Sequence, residues 1–175
     1  MTSMPAPYDS ADPLPSCRIA QAPAVPTAVV RQEGFAMYDM PSLMDGTFSH
    51  LPQALAEAGI APIGPAFSLH HRAPVDTADL EVGFPVDSPP SAPITLPSGF
   101  VVEASELPAG RVAMTSHIGG YGGLGEAWGR FTRSVGDRGE QMVHPFWELY
   151  VTAPTPDTDP ATLRTDLVSL LEPRG

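Results

Sequence analysis

The stretch HPFWELYVT (144–152) places a carboxylate among aromatic residues, and this combination of residue types could do chemistry. Its alternation is typical of a β-strand, with Phe146, Glu148 and Tyr150 on one face and apolar residues on the other. Burying an ionised glutamate is costly unless the charge has a partner. Glu148 therefore either faces solvent, pairs with an arginine, or faces a partly dry cavity in which the carboxylate has a function.

Two kinds of chemistry fit these residue types, and the sequence leaves both open. A carboxylate between aromatic rings suits the binding of a delocalised cation. A carboxylate near a tyrosine hydroxyl also suits a hydrolase, in which the first group orients or deprotonates water and the second stabilises developing charge. Glu148, with Tyr150 or Tyr38, supplies these groups. The two hypotheses are a small-molecule binding module and, as the alternative, a hydrolase.

An internal repeat indicates which elements position these residues. Two helical stripes share one spacing, and each is followed by a glycine that can end a helix. The segment GPAFSLHHR (64–72) then matches HPFWELYVT in the same register, so that Ser68 is the counterpart of Glu148 and His70 that of Tyr150. The two stripes are Met44, Phe48, Leu51 and Leu55 in the first copy, and Leu124, Trp128, Phe131 and Val135 in the second.

Each copy is predicted to run strand, helix, strand, strand, over about 16–84 and 109–171, with an additional strand at 99–106. The first strand is predicted at 16–31, and Pro52 is expected to kink or split the first helix. The fold class is therefore α+β: duplicated β-α-β-β units form one antiparallel sheet with two helices on one face. A ligand groove is expected on the pseudo-twofold axis.

The alternation also leads to an expectation about the two faces of the sheet. Phe67 and Leu69, with Trp147 and Leu149, are expected to pack against the helices. The Glu148 face is then expected to point away from the helices, toward a groove on the less covered side. Trp128 is interpreted as a core residue because it belongs to the second helical stripe. The candidate binding residues are Glu148, Tyr150, Phe146, Tyr38, His70, Ser68 and Tyr121.

Composition excludes several classes of function. The net charge is −11 and all nine basic residues are arginine, which argues against direct nucleic-acid binding. The single Cys17 excludes an internal disulfide and a cysteine-based zinc site, and the histidines lack metal-ligand spacing, so neither metal nor cofactor is expected. No apolar run is long enough for a membrane span and no signal peptide is recognised, so a cytoplasmic protein is expected.

The proline-rich segment 1–15 is expected to be a disordered tail, with a single ligand-binding domain over 16–175. Deleting the tail is then expected to leave the melting temperature almost unchanged.

The chain resembles the GyrI-like small-molecule-binding domain family, which also forms the effector-binding half of multidrug-sensing transcription regulators. The resemblance is carried by GPAFSLHH, DLEVGFPV (79–86), ELPAGRVAMTSHIGGYGGLGEAW (106–128) and FWELYVT (146–152). It implies the same duplicated fold and a central pocket for bulky, aromatic, often cationic compounds. The pocket glutamate of the family falls on Glu148 and its neighbouring tyrosine on Tyr150, whereas His70 stands where a tyrosine is common.

The resemblance also bears on the two functional hypotheses. Too few residues precede the first matching strand for the helix-turn-helix of the regulators, so a stand-alone form that sequesters or senses a ligand is expected. Some stand-alone members hydrolyse the cyclopropane ring of DNA-alkylating natural products, and only in that case would Glu148 and Tyr150 be catalytic. The sequence leaves open the natural ligand, the oligomeric state and any protein partner.

Overall fold

The computed structural model describes residues 3–174 and contains one antiparallel sheet of nine strands in the order β1-β7-β9-β8-β3-β4-β2-β6-β5. The strands are β1 (Arg18–Ala22), β2 (Val25–Ala36), β3 (Phe67–His70), β4 (Thr77–Pro85), β5 (Ile94–Thr95), β6 (Val101–Leu107), β7 (Gly110–Ile118), β8 (Met142–Tyr150) and β9 (Arg164–Leu171). The α-helices are α1 (Met40–Phe48), α2 (Leu51–Glu57) and α3 (Leu124–Asp137), and 3₁₀ turns cover Met37–Asp39, Tyr121–Gly123 and Pro160–Thr162. No helix within residues 3–174 is both long and apolar enough to cross a membrane.

The sheet confirms the α+β fold and its duplication. Strands β3 and β8 pair at its centre, and each half continues outward through equivalent strands, β4 and β2 on one side and β9 and β7 on the other. The split of the first helix is also confirmed: α1 ends at Phe48 and α2 begins at Leu51. Pro52 has no N–H to donate to the Phe48 carbonyl, so the helical ladder cannot continue across this point.

The first strand of the first copy differs from the prediction. The segment predicted as one strand, 16–31, forms two strands separated by Pro23 and Ala24, and Pro108 and Ala109 separate β6 from β7 in the same way. Strand β1 then pairs with β7 of the second copy, and β6 pairs with β2 of the first. A proline cannot donate to the sheet ladder, so it favours a break at which the chain changes partners.

The assignment of faces was wrong, because the helices cover the opposite side of the sheet. Leu80 and Val82 of β4 pack with Leu43, Leu51 and Leu55 of the first two helices. Leu167 of β9 packs with Phe131 and Val135 of α3. The set Phe67, Leu69, Trp147 and Leu149 instead belongs to a cluster on the other face that also contains Met4 and Leu14. Alternation shows which residues share a face, but not which face the helices cover.

The N-terminal segment also differs from the expected disordered tail. Its described residues, 3–15, lie against the face of the sheet without helices, where Met4 and Leu14 are buried. The Leu14 N–H donates to Ser116 Oγ at 2.8 Å, and the Arg164 guanidinium donates to the Ala11 carbonyl at 3.1 Å. Proline prevents this segment from forming a regular ladder, but it does not prevent packing of the apolar side chains between the prolines.

Candidate functional site

The site is built on the two central strands. Ser68 is paired directly with Glu148, and His70 with Phe146. Their side chains lie on the helix-covered face, because Leu167, the β9 partner of Glu148, packs against α3. The groove on the pseudo-twofold axis therefore lies between the helices, on the opposite face from the one the sequence analysis expected.

A cavity of about 430 Å³ occupies this groove, next to α3. That volume is in the range of small-molecule sites, about 300–1,000 Å³. Its wall combines aromatic rings, a methionine and a few polar groups. The lining residues are His70, Pro74, Trp128, Thr132, Met142, Val143, His144, Phe146, Glu148 and Ser169.

Neutral donors hold both carboxylate oxygens of Glu148. The indole N–H of Trp128 donates to Oε2 at 2.7 Å, and the Tyr150 hydroxyl donates to Oε1 at 3.0 Å. Ser68 Oγ lies 2.7 Å from the Tyr150 hydroxyl and donates to it, since the single tyrosine proton is already directed to Glu148. These bonds fix the carboxylate, but they bring no positive charge to it.

Tyr150 acts as a hydrogen-bond donor in this arrangement. Burial, and after it the negative charge of Glu148, raises the pKa of the Tyr150 hydroxyl. The phenol therefore keeps its proton at neutral pH. Tyr121, in the turn before α3, packs edge-on against Tyr150 with ring centroids 5.8 Å apart.

Aromatic contacts set the shape of the cavity. The His70 ring stacks on Phe146 with centroids 5.3 Å apart and an interplanar angle of 12°. Trp128 meets the same Phe146 edge-on, at 5.1 Å and 66°. A flat ring bound here would therefore meet aromatic surfaces from both α3 and the sheet.

His70 is a neutral imidazole at physiological pH. Burial lowers its pKa from 6.5 to about 4, and the positive charges of His71 and Arg72 act in the same direction. Within residues 3–174, no group of three or more His, Cys, Asp or Glu side chains is arranged to hold a metal ion.

Most of the residues singled out in the sequence come together here. Glu148, Phe146 and His70 line the cavity, and Ser68 and Tyr150 join Glu148 through hydrogen bonds. Two others lie further out: Tyr121 reaches the site only through its contact with Tyr150 and is 42% exposed, while Tyr38 is 84% exposed and is not in the cavity wall.

The sequence analysis missed Trp128 as a site residue. Its helical spacing indicates the core, yet the side chain is only half-buried and donates to Glu148. The available signal was chemical, because a tryptophan beside the core needs an acceptor for its N–H and the facing strand carries a carboxylate. Thr132, Met142, His144 and Ser169 were missed as well, and their spacing carries no such signal.

Comparison with known proteins identifies a family whose model matches most of the sequence. The family model described as "GyrI-like small molecule binding domain" matches residues 15–169. Among curated proteins, none matches the sequence. The structure is similar to EcmrR in its DNA complex (17% identity, TM-score 0.71), where the match covers 89% of this chain and 57% of that one.

Three further structures share the fold over nearly their whole length. The EcmrR C-terminal domain is 17% identical with a TM-score of 0.68, covering 89% of this chain and 96% of that one. SAV2435 bound to tetraphenylphosphonium is 9% identical with a TM-score of 0.62, covering 89% and 93%. A hydrolase from Listeria innocua is 11% identical with a TM-score of 0.57, covering 93% and 94%. At these identities the structural likeness concerns the fold, whereas the family match extends over most of the sequence. The chain belongs to the GyrI-like small molecule binding domain family.

Proposed function

We propose that this protein binds flat or bulky aromatic molecules that carry a positive charge, in the groove beside α3, and holds them without chemical change. The observation that carries the proposal is the Glu148 carboxylate, which lies in an aromatic cavity. Within residues 3–174, it receives hydrogen bonds only from the neutral groups of Trp128 and Tyr150. A partly desolvated charge of this kind favours a ligand that brings the opposite charge. Aromatic rings around it add attraction for a cation.

The fold neighbours supply a second line of support. The structure of SAV2435 contains bound tetraphenylphosphonium, which is an aromatic cation. That protein shares the fold with this chain at only 9% identity, so we use its ligand as a probe and not as evidence of the natural ligand. We propose the cytoplasm as the setting, as expected for a chain with one cysteine.

The test compares two probes of matched shape, tetraphenylphosphonium and tetraphenylborate, by isothermal titration calorimetry. The parent protein is expected to bind the cation and not the anion. Glu148→Gln keeps the shape and one of the two acceptor oxygens but removes the charge, and is expected to weaken cation binding about tenfold or more. Glu126→Gln, at an exposed position near the start of α3, changes the net charge equally and is expected to leave affinity unchanged. Equal affinity of the parent and Glu148→Gln would rule out the carboxylate as the selectivity element.

Hydrolysis is the second candidate, favoured by the fixed orientation of Glu148 next to an open cavity. An ionised carboxylate with one hydrogen bond on each oxygen still has lone pairs for a water molecule. Glu148 would take a proton from that water as the water oxygen bonds to a cyclopropane carbon. The ring C–C bond would break, its electron pair would pass to a carbonyl conjugated with the ring, and that oxygen would take up a proton. Tyr150 would hold the carboxylate in place.

Mass spectrometry after incubation with a cyclopropane-bearing alkylating natural product separates the two candidates. Retention of the compound by the protein at unchanged mass supports binding alone, and the gain of one water supports hydrolysis. If water is added, Glu148→Gln is expected to lower the rate about a hundred- to ten-thousand-fold while binding persists.

A further inference from the structure

His70 is a polar group of the cavity wall whose ring nitrogens make no hydrogen bond to the described part of the chain. Its Nδ1 atom is buried and has no partner among residues 3–174. Nε2 forms no hydrogen bond there either, and, unlike Nδ1, it is not enclosed. The stack on Phe146 fixes the plane of the ring.

These constraints determine where the imidazole proton lies. A neutral imidazole has one N–H and one bare nitrogen. A proton on Nδ1 would be a buried donor with no acceptor, which costs more than a buried lone pair without a donor. The proton therefore belongs on Nε2, the nitrogen that is not enclosed.

We infer that His70 determines ligand specificity, by donating a hydrogen bond from Nε2 to an oxygen or nitrogen acceptor on the bound aromatic cation. The inference rests on the proposed function and narrows its ligand class. The burial that keeps the ring uncharged also keeps it from repelling a cation. His70 thus supplies a neutral donor to the cavity while Glu148 supplies the negative charge.

The strand register gives the spacing between the two groups. Phe146 is the direct partner of His70, and Glu148 is the next residue of β8 on the same face. His70 and Glu148 are thus diagonal neighbours on adjacent strands, and such neighbours are about 7–8 Å apart. The ligand class is therefore an aromatic cation with a carbonyl, ether or ring-nitrogen acceptor roughly 7 Å from the centre of positive charge.

The test uses two probes that differ by one acceptor: tetraphenylphosphonium, and the same cation with a methyl ester at the para position of one ring. The ester carbonyl lies one ring away from phosphorus, at the spacing set by the strand. The parent is expected to bind the ester more tightly. His70→Phe keeps the stacked ring and removes both nitrogens, and is expected to weaken ester binding about fivefold to tenfold, the effect of one lost hydrogen bond. The preference of the protein for the ester over tetraphenylphosphonium is therefore expected to be largely lost in this variant.

A second measurement on the unmodified protein does not depend on how the variant folds. Long-range ¹H–¹⁵N correlation spectra are expected to show the Nε2–H tautomer of His70. The Nε2 resonance is expected to shift more with the ester probe than with tetraphenylphosphonium. Observation of the Nδ1–H tautomer would overturn the inference, and so would an equal loss of affinity for both probes in His70→Phe. Neither result would contradict the proposed binding of cations. If the parent binds neither probe, the proposed function fails, and the specificity role of His70 fails with it.

Discussion

Glu140 and Glu148 differ in whether an arginine balances their negative charge. Glu140 accepts from the Arg111 guanidinium at 2.7 and 2.8 Å and pairs with Arg174 as well, so its charge is compensated and its pKa is lowered. Glu148 forms no ion pair within residues 3–174, although nine arginines are available in the sequence. Neutral donors orient its charge without cancelling it, which is the condition for a ligand to supply the counter-charge.

His70 makes a specific prediction about stability and pH. Its pKa is about 4 in the folded protein, against 6.5 in the absence of burial, so the unfolded chain binds more protons between these values. Stability therefore rises with pH through this window and falls when the pH drops below 6.5. The parent protein is therefore expected to lose unfolding free energy between pH 7.5 and pH 5. His70→Phe is expected to lose about 1–2 kcal/mol less over the same interval.

Urea unfolding at the two pH values checks this expectation. Other carboxylates and histidines titrate over the same range, so the informative quantity is the difference between parent and variant. An identical loss in both proteins would show that His70 is not held neutral by the fold.

The sequence allowed much of the site to be predicted, because strand alternation and the repeat together place Ser68, His70, Phe146, Glu148 and Tyr150 on one face. It could not show which face of the sheet the helices cover. Trp128 of α3 reaches Glu148 only because the helices cover the face that carries Glu148. Tyr38 was over-interpreted for a related reason. Being close to a helix start in sequence says nothing about the direction of the side chain, and this ring is exposed.

At the level of elements, the N-terminal segment has the clearest consequence for stability. Met4, Tyr8 and Leu14 pack on the face of the sheet formed by Trp147 and its neighbours. Full burial of each such side chain contributes about 1.5–3 kcal/mol. Deleting residues 1–15 is therefore expected to lower the melting temperature by roughly 10 °C or more, in place of the negligible change that proline content alone suggests.

Differential scanning calorimetry of the truncated chain provides the measurement. Leu14→Ala is a milder variant and is expected to cost about 2–3 kcal/mol through the lost burial and the cavity left behind. Deletion of residues 1–2 alone serves as the reference for chain shortening. A truncated protein that melts within a couple of degrees of the parent would contradict the packing role of the segment.

Prolines explain both a correct and an incorrect prediction at this level. Pro52 lies inside a helical pattern, where its effect is unambiguous, and the helix divides there. Pro23 lies between two apolar stretches that both favour strands, so the sequence pattern reads as one continuous strand. Its equivalence to Pro108 was the usable signal, because both prolines are followed by alanine before the chain enters the next strand.

At the level of the whole molecule, the two copies are interlocked. Strand β1 is the edge partner of β7, while β6 lies between β2 and the short β5. Each half therefore contains a strand from the other copy, and neither can separate without breaking ladder hydrogen bonds. Unfolding in urea is expected to be a single transition, with coincident midpoints from far-UV circular dichroism and tryptophan fluorescence.

Core variants in the two halves sharpen this expectation. Leu55 of α2 and Phe131 of α3 are both almost fully buried. Leu55→Ala and Phe131→Ala are each expected to cost about 2–5 kcal/mol and to shift both signals together. A variant in which one signal shifts and the other does not would show that the halves unfold separately.

The central pairing of Ser68 with Glu148 also bears on how the duplicated gene diverged. A faithful duplication would place identical residues at these two positions, directly across the symmetry axis. Two glutamates there would have their Cβ atoms about 5 Å apart, and like charges opposite each other on a sheet are destabilising. Such an acid pair would share one proton, so its charge would change with pH. With serine on one side, the pair contains a single carboxylate with a hydroxyl beside it. The loss of symmetry in the lining is thus what allows a symmetric scaffold to present a fixed charge of one.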